Sequence, residues 1–73
     1  MENRVIYVVL VKYVDSIGRE RTYSREFTTK SYAMAYFCDK INNAKSHSEF
    51  IVYRISRIGF TKYCDIIRRA FLG

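Results

Sequence analysis

The sequence predicts a single small α+β domain over residues 1–73, ordered β-β-α-β-α, with a three-stranded antiparallel sheet of order 2-1-3 packed on a helix. Three observations predict it. Val5 to Val14 is apolar on both of its alternating rows, Glu20 to Thr28 alternates after a turn, and Met34, Phe37, Cys38 and Ile41 recur at the spacing of one helical stripe.

In the first strand, residues two apart share a face, so one row carries Val5, Tyr7, Val9, Val11 and Tyr13 and the other Ile6, Val8, Leu10 and Val14, broken by Lys12. Such a strand needs cover on both sides. Asp15-Ser16-Ile17-Gly18 supplies turn-initiating residues and a glycine for positive φ, and a second strand follows with Tyr23 and Phe27 on the row of Arg21 and Arg25. Thr29 or Ser31 can cap a helix running to about Asn43. The polar stretch from Asn42 to Ser48 ends that helix in a loop, and Glu49 to Arg57 forms a third strand that stops near Gly59. Beyond it, Thr61 caps a last helix in which Tyr63, Ile67, Ala70 and Phe71 share a side, although Tyr63 to Ile67 can also be read as a strand.

A right-handed crossover through the helix puts the third strand beside the first, which becomes central and antiparallel to both neighbours. A two- or four-residue hairpin loop sets Val8 and Leu10 with Tyr23 and Phe27 beneath the helix, leaving Tyr7, Val9, Val11 and Tyr13 open. A three- or five-residue loop reverses the faces. Either way one apolar row remains for the C-terminal helix or for another molecule.

At 73 residues the core is thin. Thirteen Lys and Arg against seven Asp and Glu give a net charge of +6, which favours acidic partners, but the cations are dispersed and also serve a solvated surface. Cys38 and Cys64, each read as helical, are expected to be buried free thiols in a reducing cytoplasm. With a single His47 they lack zinc spacing, so no metal and no cofactor is expected. The apolar start is interrupted at Lys12 and has no small-x-small site after it, so it reads as a strand and not a secretory signal. No run approaches the ~20 apolar residues of a membrane span.

Enzyme signatures are missing. Only Gly18, Gly59 and Gly73 are glycine, so there is no phosphate loop, and neither cysteine has a base placed beside it by the sequence. Two binding readings remain. Tyr7, Tyr13 and Tyr53 with Arg21, Arg25, Arg54 and Arg57 could stack on bases and meet phosphates, although the sheet motif of RNA-recognition domains is absent. The preferred reading is protein binding through the open sheet face, with Tyr7 and Tyr13 as anchors, Val9 and Val11 as the desolvated centre, and Arg21, Arg25, Arg54 and Arg57 near Tyr53 as rim. Self-association as a homodimer is one form of it.

The hairpin carrying Asp15-Ser16-Ile17-Gly18-Arg19, the Phe27-Thr28-Thr29 exit into a capped helix, and the strand from Phe50 to Ile55 give the chain a resemblance to small bacteriophage-encoded accessory and early proteins. The resemblance covers about 60 residues and carries over no individual functional residue. It implies a non-catalytic binder, acting in a host cytoplasm, that modulates a host or partner protein. Its basic charge departs from the acidic DNA mimics among such proteins.

Overall fold

A computed structural model describes residues 4–44 and 47–73. Its elements are β1 (Arg4–Val14), β2 (Glu20–Phe27), α1 (Lys30–Asn43), β3 (Ser48–Ile58) and β4 (Thr61–Leu72). The sheet is four-stranded, in the order β2-β1-β3-β4, and every neighbouring pair is antiparallel. The expected β2-β1-β3 order holds, with β1 central. The expected C-terminal helix does not form: residues 61–72 extend the sheet instead, so the fold is four strands and one helix rather than three strands and two.

Two local features explain this correction. Ile58 pairs with Thr61 across the two-residue loop Gly59-Phe60. Gly59 has φ 62° while Phe60 stays out of the positive region, the backbone of a Gly-X hairpin turn. Further along, the register passes from Val52↔Arg68 to Tyr53↔Ile66, which leaves Ile67 as a bulge residue. The bulge shifts the side-chain parity of β4. Its helix-side apolar residues therefore fall at Tyr63, Ile67 and Ala70, a spacing that imitates a helical stripe.

The loop between β1 and β2 runs from Asp15 to Arg19, because Val14 pairs with Glu20. Its five-residue length selects the reversed assignment of faces. Tyr7 stands opposite Phe27, Val9 opposite Arg25 and Val11 opposite Tyr23, and this row lies under α1. The buried cluster is Val9, Val11, Ala33, Phe37, Phe50 and Val52, with Tyr7, Tyr13, Phe27, Met34, Ile41 and Ile67 packed partly against it. Phe37 and Phe50 meet edge to face, their centroids 6.3 Å apart.

The buried face of α1 is rotated from the expected stripe. Ala33 and Phe37 are its buried residues, and Cys38, about 100° round the helix from Phe37, is exposed. Ala33 lets the helix approach the sheet where a larger side chain would hold it off. Cys64 is also exposed and lies in β4, so neither cysteine is the buried helical thiol expected. Thr29 is the N-cap residue, though its side chain makes no capping hydrogen bond, and the Ala44 amide donates to the Ile41 carbonyl at 3.2 Å. Of the expected polar loop, Lys45 and Ser46 lie outside the described residues.

Candidate functional site

The face of the sheet turned away from α1 has an apolar centre. Register places Ile6 beside Ile55, Val8 beside Tyr53 and Leu10 beside Ile51, and continues from Tyr53 to Ile66 on β4. None of these residues joins the cluster around Phe37. Ile51, between Leu10 and Arg69 in the register, is only 4% exposed although it is outside the cluster beneath α1. Ile66 and Phe71 are exposed at 56% and 70%.

Charged groups bound this apolar strip at both ends. At one end Glu49 accepts from Arg69 Nε at 3.0 Å and Nη2 at 2.6 Å, with Lys12 Nζ at 3.7 Å. The Arg69 guanidinium also lies 5.0 Å from the centre of the Phe71 ring. At the other end Arg4, Arg57 and Lys62 stand directly across from one another on three adjacent strands. Like charges in register repel. Together with Ile6, Glu26 and Ile55 they line a hollow of about 440 Å³.

The helix-covered side carries most of the aromatic and arginine residues singled out in the sequence. Tyr7, Val9, Val11 and Tyr13 are on this side, and Val9 and Val11 are 0% and 3% exposed. Val9 and Val11 are core residues beneath α1 and Tyr7 and Tyr13 pack against that core, so the row of β1 left uncovered by the helix is the opposite one, not the one expected to be open. Arg25 packs against the rings of Phe27 and Tyr36, at 5.5 and 5.4 Å, and Arg21 Nε bonds Asp15 Oδ2 at 3.2 Å. Tyr13 meets Tyr23 edge to face at 5.8 Å. Partial burial, followed by the proximity of Tyr36 and Tyr13, pushes the Tyr23 hydroxyl above the ordinary tyrosine range.

Of the remaining expected residues, Tyr53 and Arg57 are on the open face, while Arg54, opposite Tyr7 and Asp65, is on the other. The proposed stacking set of Tyr7, Tyr13 and Tyr53 is thus divided between two faces. What the sequence reading left out of the site is Ile6, Val8, Leu10, Ile51, Ile55 and Ile66. The signal that finds them is the parity of the hairpin loop.

Among the described residues, no three His, Cys, Asp or Glu side chains gather in a group that could hold a metal ion, and no helix is long and apolar enough to cross a membrane. Comparison with protein-family models, with curated proteins and with solved structures finds no match for this chain.

Proposed function

We propose that this chain is a small non-enzymatic binding protein that docks on a partner protein through the open face of its sheet and modulates that partner. The observation that carries the reading is the apolar strip centred on Val8, Tyr53 and Ile55, uncovered by α1 and bounded by charge at each end. An apolar patch with a polar margin suits a protein surface: the centre supplies desolvation and the margin orients the contact. Tyr53 is the aromatic anchor on this face, with Arg57 and Arg69 toward its ends. Such a role agrees with the resemblance to bacteriophage accessory proteins that bind host macromolecules.

Affinity capture from an extract of the source organism, treated with nuclease, tests the reading. Ile55→Glu puts a charge into the strip at a half-buried position, and Arg25→Glu changes charge on the helix side as a control. The wild type and Arg25→Glu should retain the same nuclease-resistant protein, and Ile55→Glu should lose it by at least about tenfold. Retention by Ile55→Glu, or loss of all captured material on nuclease treatment, contradicts the proposal.

A further inference from the structure

We infer that the projecting end of the β3–β4 hairpin seats on an anionic lipid surface, with Phe60 entering the headgroup boundary and Arg4, Arg57 and Lys62 meeting lipid phosphates. This membrane contact is made by the tip of the hairpin. It is separate from the apolar strip of the open face and goes beyond the reading of that strip.

Apolar exposure concentrated in one loop gives the first reason. Phe60 is fully exposed, at 108%, and Ile58 and Tyr63 beside it are exposed at 55% and 49%. None of the three packs against the core beneath α1. Turn chemistry does not call for Phe60, since a polar residue such as Asn or Ser serves the second position of a Gly-X loop. A group of exposed apolar side chains rimmed by charge marks a contact with a protein or a membrane.

Charge gives the second reason, and it selects an anionic bilayer as the occupant. Arg4, Arg57 and Lys62 form one row across β1, β3 and β4, with neighbours about 4.8 Å apart. Among the described residues, the ion pairs join Lys12 and Arg69 to Glu49 and Arg19 and Arg21 to Asp15, so none neutralises the row. Glu26 lines the same hollow without reaching ion-pair distance of it. From Tyr53 to Cys64 the hairpin carries Arg54, Arg57 and Lys62 and no acidic residue. The row is perpendicular to the strands, so with the strands along the membrane normal its three cations reach the headgroup level together. Phe60, two residues from Lys62, leads them by about 7 Å, within the roughly 5–10 Å to which interfacial segments bury apolar side chains. Tyr63, one residue behind Lys62, falls at the level where a ring can be apolar and its hydroxyl wet. A bilayer presents negative charge in a plane with an apolar interior beneath it, the order in which the hairpin presents its row and its tip. Duplex nucleic acid fits less well. A hairpin with side chains on both faces is about 10 Å thick, against roughly 6 Å for an undistorted minor groove, and a major groove offers Phe60 chiefly polar base edges.

Co-flotation of the full chain with vesicles tests the inference. The wild type should float with vesicles of equal parts phosphatidylglycerol and phosphatidylcholine and should stay behind with phosphatidylcholine alone. Phe60→Ser, at an exposed loop position that folding does not use, should weaken the binding by at least about tenfold. Lys62→Gln should weaken it about fivefold, the effect of one cation at a charged surface. Arg19→Gln, which removes the same charge from the β1–β2 loop at the opposite end of the sheet, should leave it unchanged. The chain has no Trp, so the indole emission of Phe60→Trp reports the tip alone and should shift to the blue on the anionic vesicles. Absence of binding to those vesicles overturns the inference. So does binding that Phe60→Ser leaves intact while Lys62→Gln and Arg19→Gln weaken it equally, since that is adsorption by net charge. Unshifted emission from bound Phe60→Trp overturns it too, as does binding of duplex DNA that Phe60→Ser abolishes in a protein that ignores vesicles.

Discussion

Asp15 organises the turn on which the face assignment depends. Its Oδ1 accepts from the Ile17 amide at 3.1 Å and the Arg19 amide at 2.9 Å, and its Oδ2 faces Arg21 Nε at 3.2 Å. The Asp15 amide in turn donates to the Arg19 carbonyl, and Gly18, with φ 82°, completes the loop. The Arg19 amide bond, outweighing partial desolvation and helped by Arg21 and Ile17, holds the Asp15 carboxyl below the usual carboxylate range. A lowered folded-state value means that the stabilisation is fully present above the unfolded value of about 3.9. It is lost as pH falls through the folded value. Asp15→Ala should lower the thermal midpoint near neutral pH by several degrees, and the gap to the wild type should narrow as pH drops below about 4. Melting curves across that range check it; a constant gap would show that the carboxylate's charge contributes nothing. At this scale the sequence was partly legible. Asp15 and Gly18 mark a turn by their chemistry, but the faces are decided by whether the loop holds an even or an odd number of residues, and turn chemistry alone does not fix that count.

At the scale of elements, β1 to β3 and α1 could be read from alternation, turn residues and one apolar stripe, while β4 was preferred as a helix and stood as a strand only in the alternative reading of Tyr63 to Ile67. Its bulge at Ile67 breaks the period of two where a longer run would have declared a strand, and Tyr63, Ile67 and Ala70 then show a helical spacing. The missed signal was upstream, in Ile58-Gly59-Phe60-Thr61, where a glycine able to take positive φ opens a two-residue hairpin. Gly59→Ala should cost about 1–2 kcal/mol, the penalty of a side chain in the left-handed region. Chemical denaturation measures it, and an unchanged midpoint would remove Gly59 from the explanation of β4. The helix stripe was misplaced for a different reason. Hydrophobicity alone favours Cys38 as a core residue, but close approach to the sheet favours Ala33, and the helix rotates to bury it.

The whole molecule is a sheet covered on one side over part of its length. Helix α1, with 14 residues, spans about 21 Å, whereas β3, with 11 residues, spans about 36 Å. The β3–β4 hairpin therefore projects beyond the helix and exposes Ile58, Phe60 and Tyr63 at its tip. The two-faced first strand was legible as a demand for two layers, and the central position of β1 followed from it. Which row the helix takes was not, because a single residue of loop length exchanges the two. The proposed binding surface rests on that exchange. Nuclear Overhauser contacts from the Phe37 ring measure it directly. The ring should meet the methyl groups of Val9, Val11 and Val52; contacts instead to Val8 and Leu10 would place the helix on the other face and contradict the assignment of the open one.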